Sequence, residues 1–381
     1  MPTPDVLATL ADLVRLNSIN TAYEDGTSEA GVAAYLRKFF RTRGIETWEQ
    51  EVFPGRSNLI ARVPGRDPRR RVILEAHMDT VSAKGMTIPP FAPTISGGRL
   101  HGRGSCDTKA GLAGMAHAVA SLAADRFTPP CDVWLAAVVD EEFSYRGVVK
   151  LCEGLTAHAA IVAEPTELRL VVATKGVLRW RIVVQGRAAH SSKPHLGINA
   201  IDHMARLILA IEPEHAALAT RPHPFLGPAT GNVGVIRGGV QVNFVPDSCV
   251  IEIDRRLLPG EKVDAILARY QQLIDGLAAR HPGFAATMEM PPLLVDEALE
   301  TAIDSPVTQT AAAVLRGLGL NGDPCGVPYG SDASKLSRQG VPSLVFGPGS
   351  IDRAHAAVEY VETDQVLQAF EFYREFVRRF E

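Results

Sequence analysis

Apolar side chains recur every three or four positions over residues 3–18 and again over 28–43, which predicts two amphipathic helices early in the chain. Thr27 and Ser28 stand ahead of the second as candidate N-caps. The period then shortens. N-L-I-A-R-V (58–63), V-I-L-E-A-H (72–77), V-W-L-A-A-V-V (133–139) and I-V-A-E (161–164) read as short, nearly continuous apolar strands. A small-residue helix, K-A-G-L-A-G-M-A-H-A-V-A-S-L, lies between the second and third. Short buried strands alternating with helices argue for an α/β sheet covered on both faces.

The pattern changes near Lys175-Gly176. From there the order is strand, helix (about 197–212), strand, strand, helix (about 261–280) and a strand near 284–289, a split β-α-β-β-α-β unit. After Pro291-Pro292 the first pattern resumes, with a helix at 305–317, the strand S-L-V-F (343–346) and a final helix at 363–380. The chain therefore reads as one α/β domain, 1–175 and 291–381, interrupted by a smaller domain over 176–290.

Composition narrows the function classes. With 46% apolar and 22% charged residues among 381, the chain will collapse and is not disordered. Its 39 basic and 43 acidic residues leave a net charge of −4 without a basic stripe, so no nucleic-acid partner is expected. No window reaches the ~18 uninterrupted apolar residues of a membrane span. Asp5 and Asp12 interrupt the first apolar stretch, which reads as a helix and not as a signal peptide. Five scattered cysteines with no C-x-x-C suggest free thiols and a cytoplasmic protein.

Candidate chemistry gathers at or just beyond the carboxyl ends of the expected strands, where open α/β sheets bind ligands. His77-Met78-Asp79, Asp107, Asp140-Glu141-Glu142 and Glu164 lie there, and His355 follows the strand at 343–346. Singly, each has a bland reading: a strand-end histidine, a helix cap, a solvated acidic corner. Jointly the bland reading weakens, because accidents would not place every cluster on one sheet edge. Two imidazoles with several carboxylates suit zinc, cobalt or manganese, and carboxylates can bridge two ions ~3.5 Å apart. A carboxylate beside such ions can take a proton from water.

H-M-D-T-V (77–81), G-R-G-S-C-D-T-K (102–109), D-E-E (140–142), A-E-P-T (163–166) and A-H-A-A-V-E-Y-V (354–361) resemble the motifs of the co-catalytic zinc amidohydrolases and metallopeptidases. That family includes acetylornithine deacetylase, succinyl-diaminopimelate desuccinylase, aminoacylase-1, carnosinase-type dipeptidases and glutamate carboxypeptidases. The resemblance implies a mixed-sheet catalytic domain interrupted by a ferredoxin-like dimerisation (lid) domain, and a homodimer. It implies two divalent ions, zinc first, with His77 and Glu164 on one, Glu142 and His355 on the other, and Asp107 bridging. Asp79 would fix the His77 tautomer and Glu141 would be the general base. His190 would reach across the dimer to the oxyanion, while Asn243, Arg255 and Ser331 would contact substrate. The family usually has Pro where Ser82 stands and Gly where Ala110 stands; neither is an expected ligand.

The implied reaction is hydrolysis of the amide of an N-acyl amino acid. Removal of a terminal residue from a short peptide is the alternative, and a non-catalytic metal-binding relative a third reading. Glu141 argues against the last, since a chain that lost catalysis would be expected to lose its base first.

Overall fold

The computed structural model describes residues 5–381. The chain divides into two compact units, one running to Val172 and resuming over Glu300–Cys325 and Ser331–Glu381, the other comprising Ala173–Leu299 and Gly326–Gly330.

Four mutually parallel strands form the centre of the first unit. Asp67–His77 lies between Cys131–Val138 and Ala159–Val162, and Ser343–Val345 runs parallel to the last of these. Arg56–Val63 and Glu46–Phe53 continue the sheet antiparallel beyond Cys131–Val138. Asp67–His77 is buried over its last six residues and Cys131–Val138 over nearly all of its length, as expected of strands covered on both faces. The mixed sheet and the α/β class agree with the sequence reading. Among the described residues, no helix is long and apolar enough to cross a membrane.

The helix Lys109–Ala124 is buried on nearly every side, which explains why its sequence is small and apolar all round. Gly111 lets it approach the sheet: a Cβ there would lie 2.5 Å from that of Ala163. On its other flank it packs on Thr363–Arg379, where the Tyr373 hydroxyl donates to the Phe346 carbonyl at 2.8 Å. Of the expected caps, Ser28 Oγ accepts from Ala30 N at 3.4 Å, whereas Asp5 caps the first helix.

The second unit follows the expected order of strand, helix, strand, strand, helix, strand. Its sheet runs Thr230–Gly238, Ser248–Leu257, Gly176–Gln185, Ala285–Met288, antiparallel at every junction. Leu294–Asp296 pairs with Gly176–Gln185 as well, so the unit extends past residue 290. The helices Ala200–Ala217 and Val263–Arg280 cover one face, burying Trp180, Ile182, Ile251, Ile253, Met204 and Ile274. Trp180 meets the Tyr270 ring edge-on at 4.8 Å.

Gly111→Ala should lower stability by about 1–3 kcal/mol, the usual effect of overpacking a tight contact. Urea unfolding checks this; a loss under about 0.5 kcal/mol, the scatter of a neutral surface change, would show that the contact yields freely.

Candidate functional site

Each of the four parallel strands delivers a group to the same edge of the sheet. Asp67–His77 ends on His77. Cys131–Val138 leads into Asp140-Glu141-Glu142, Ala159–Val162 into Glu164, and Ser343–Val345 into the loop bearing His355. Asp107 precedes the helix that begins at Lys109.

These side chains converge. The ligand atoms of His77, Asp107 and Glu164 lie within 4.8 Å of one another, and so do those of Asp107, Glu142 and His355. Asp107 belongs to both groups and splits its oxygens between them. Its Oδ1 is 3.1 Å from His77 Nε2, and its Oδ2 is 3.2 Å from His355 Nε2. His355 Nε2 is also 3.2 Å from Glu142 Oε2. Two donor sets sharing one carboxylate form the arrangement in which a pair of divalent ions can be held. Asp140 (φ 71°) and His355 (φ 58°) occupy the left-handed region. For residues other than glycine this costs about 1–3 kcal/mol and gathers at functional sites.

The His77 tautomer is set by the main chain. Nδ1 is 3.0 Å from the Asp79 carbonyl, which can only accept, so Nδ1 donates and Nε2 faces the cluster. The Asp79 carboxylate is farther, at 3.6 Å, and has other work. It accepts from the backbone N–H of Glu141 (3.2 Å) and Glu142 (3.1 Å) and from Asn20 Nδ2 (2.8 Å). Asp79 thus shapes the turn that presents both glutamates. Asp140 anchors the same turn, taking Asn20 Nδ2 on its carboxylate and giving its N–H to Glu29. Arg56 grips Glu29 with two nitrogens at 2.6 and 2.8 Å.

The electrostatics report a site crowded with negative charge. Burial pushes the Glu141 carboxyl up to about 8; His77 opposes the rise, and Glu142 and Asp107 add to it. Burial, then Asp107, pushes Glu142 up to about 7. Burial and Glu141 hold Glu164 well above the carboxylate range. Burial disfavours charge on His77, but contacts with Asp107 and Asp79 outweigh it and hold the ring well above the usual imidazole range. Contacts with Asp107 and Glu142 push His355 up to about 10. Burial would raise Asp107, yet the two imidazoles win and hold it below its usual range. Divalent cations would relieve this crowding, and the mixed imidazole–carboxylate donor set suits them.

Two further carboxyls lie buried in the first unit. Glu75 and Asp332 are each 1% exposed and stand against one another. Burial holds both well above the carboxylate range; Asp332 adds to the rise at Glu75, and Glu141 to the rise at Asp332. A glutamate inside the apolar run V-I-L-E-A-H was the available signal for Glu75.

In the second unit, His190 and Asn243 are neighbours on an exposed strand pair. Ala189–His190 pairs with Phe244–Val245, and Ser191 N donates to the Asn243 carbonyl at 3.0 Å. Ser192 N donates to His190 Nδ1 at 3.1 Å, leaving Nε2 to carry the proton and point outward as a donor. Arg255 and Ser331 require correction. Arg255 alternates in phase with the buried Cys249, Ile251 and Ile253, and its guanidinium is 5% exposed and taken by Glu261 Oε1 at 2.5 Å. It is not open to a substrate carboxylate. Arg256 has the other phase and a side chain one-third exposed. Ser331 is fully buried, and its hydroxyl accepts from Ala333 N at 3.3 Å at the turn into the helix Ala333–Arg338.

Residues 73–379 match the model of peptidase family M20/M25/M40. The chain is 31% identical to an acetylornithine deacetylase of Myxococcus xanthus, over 96% of this chain and 94% of that protein. It is 27% identical to a probable succinyl-diaminopimelate desuccinylase of Staphylococcus aureus, over 96% and 95%. Among solved structures, the aminopeptidase PepT of Bacillus cereus superposes with a TM-score of 0.82 at 23% identity, covering 98% of this chain and 97% of that one. At that identity the last likeness concerns the fold.

Glu141, Glu142 and His355 are all raised. The folded, metal-free protein therefore holds protons on them that the unfolded chain has released, so their contribution to stability falls as pH rises from about 5 to 10; the buried Lys109, lowered to about 7, acts in the opposite sense. Metal binding should expel those protons, on the order of one per ion, and tighten with rising pH. Titrating Zn2+ into metal-free protein at pH 6.5, in two buffers of different ionisation enthalpy, measures the release. Equal heats in both would refute it.

Proposed function

The chain belongs to peptidase family M20/M25/M40, and from that premise we propose that it is a dinuclear zinc hydrolase cleaving the amide of an N-acyl amino acid. The observation that carries this reading is the split of the Asp107 carboxylate between two imidazoles. In it, His77 and Glu164 hold one ion, Glu142 and His355 the other, and Asp107 both. Divalent ions held there would supply Lewis acidity, polarising the scissile carbonyl and acidifying a water molecule.

Glu141 is the proton carrier. Its buried carboxyl lies among His77, Glu142 and Asp107, beside both donor sets, where a base for the attacking water is needed. It takes the proton of the attacking water and gives it to the departing amine. Asp79 holds the Glu141 and Glu142 amides, so the base and a ligand keep a fixed spacing. His190, with Nε2–H outward, is the donor to the oxyanion, and Asn243 beside it contacts substrate. The carboxylate contact falls to Arg256 in place of Arg255: its Nε holds Asp254 Oδ1 at 3.0 Å, and its side chain is one-third exposed where that of Arg255 is buried. The deacylase reading draws on the full-length similarity to an acetylornithine deacetylase.

We place a homodimer interface on the second unit. Thr230–Gly238 is an edge strand whose outer side is unpaired among the described residues. Val240 and Val242 beyond it are 94% and 99% exposed. Pairing two such edges across a two-fold axis would cover both.

Glu141→Ala should retain metal affinity within a few-fold and lower kcat by about 10²–10⁴. A panel of N-acetylornithine, N-succinyl-diaminopimelate, N-acetylmethionine and carnosine tests the substrate class. Turnover of carnosine alone would favour the exopeptidase, and near-normal turnover by the variant would place the base elsewhere. Sedimentation should give twice the 41.0 kDa chain mass; a fully active monomer would refute the interface.

A further inference from the structure

Asp107 is the residue on which both donor sets depend, so what holds its main chain matters. Its own side chain faces the two imidazoles. The loop that carries it is fixed from beneath by Glu359. Glu359 Oε1 accepts two successive amides, Cys106 N at 2.9 Å and Asp107 N at 3.1 Å. Its Oε2 accepts Arg103 Nη1 at 2.6 Å, and Arg103 Nη2 donates to the Ser82 carbonyl at 3.0 Å. Glu359 is fully buried and Arg103 is 2% exposed.

Glu359 also lies four residues after His355. The Asp107 and His355 loops are therefore joined through one carboxylate. Other ties run in parallel: Gly102 N donates to the Glu359 carbonyl at 3.1 Å, and Tyr360–Glu362 pairs with Arg99–His101. None of these grips Asp107 itself. Cys106 Sγ reaches the Ser350 carbonyl at 3.4 Å as well, but among the described residues it is the Glu359 side chain that takes the Asp107 amide.

A buried ion pair is often no more stabilising than an apolar pair of the same volume. Stability alone is thus a weak account of Arg103 and Glu359. The two amides supply a better one. A buried N–H needs an acceptor, and a carboxylate can take two adjacent amides on one oxygen and a guanidinium on the other. No apolar or amide side chain of that size can do all three.

We propose that Glu359, held in place by Arg103, is a positioning residue that sets the spacing between Asp107 and His355, and so the affinity for the ion they share with Glu142. This rests on the two-ion reading above. His77 and Glu164 stand on the ends of adjacent parallel strands and keep their places without Glu359. His355 stands on a loop, in a left-handed conformation, and relies on the tie. The two ions should therefore respond unequally to its loss.

The test is calorimetric titration of Zn2+ into the metal-free full chain, with cobalt absorption as a second readout of coordination. Wild type should take two ions. Glu359→Gln keeps the shape but offers one oxygen for three donors. It should weaken the second ion 10–100-fold, the usual effect of removing a group that orients a ligand, and the first less than about threefold. The pair Arg103→Met with Glu359→Gln removes the stranded guanidinium and should show the same split, which keeps the test sound if the single variant folds poorly. Val366→Ala, a cavity in the buried face of the last helix, serves as a destabilised control and should bind both ions as wild type does. Equal weakening of both steps, or a second ion bound within threefold of wild type by the folded variants, would overturn the proposal. A wild-type chain taking a single ion would overturn the two-ion reading, and this inference with it.

Discussion

Gathering carboxylates where water is scarce is the constraint on which the rest of the structure depends. Asp79, Asp107, Glu142 and Glu164 converge with two imidazoles in a region where most of the side chains are buried. Each carboxylate removed from water would rather be neutral, and each neighbour strengthens that preference. The fold responds in two ways. Fixed donors, such as the Glu141 and Glu142 amides on Asp79, keep some carboxylates charged, while Glu141, Glu142 and Glu164 are pushed toward protonation. Such a site is poised for cations and for proton transfer for the same physical reason.

What the sequence made legible follows from this. Parallel strands in an α/β sheet must be buried runs, and their carboxyl ends must open on one edge. His77, Glu142 and Glu164 could be placed there because the apolar runs before them are unmistakable. Asp107 and His355 follow no such run directly, and the family motifs located them. Residues whose role depends on side-chain phase or on distant packing were harder to read. The Arg255-Arg256 doublet was decidable by alternation from Cys249, Ile251 and Ile253, a signal that motif matching overrode. Ser331 carries no local sign of burial. The segment Gly326–Gly330 joins the second unit although it lies far from it in sequence, a non-local fact that no window of the chain contains.

Glu75 and Asp332 teach a related lesson. Placing two facing carboxyls in a core is expensive for their charged forms, and burial pushes both toward protonation. Glu75 shares a strand face with His77, two residues on. The same burial that raises Glu75 also raises Glu141 and Glu164, while Asp79 and Asp107, held by fixed donors and imidazoles, stay below the usual range.

The two units divide the physical labour. In the first, each reactive group hangs from a strand end, a main-chain amide or a buried ion pair, so its place is fixed by the sheet and tolerates little change. In the second, His190 and Asn243 lie on an exposed strand pair and its loop, where side chains can vary without disturbing a core, and Arg256 takes the partly exposed phase of an interior strand. The groups gathered at the sheet edge thus depend on the core of the first unit, whereas side chains on the exposed strand pair of the second do not depend on its core. A fold can keep one site while exposed positions elsewhere change, which is why similarity along the whole chain speaks for the family's reaction class more strongly than for any one molecule it acts on.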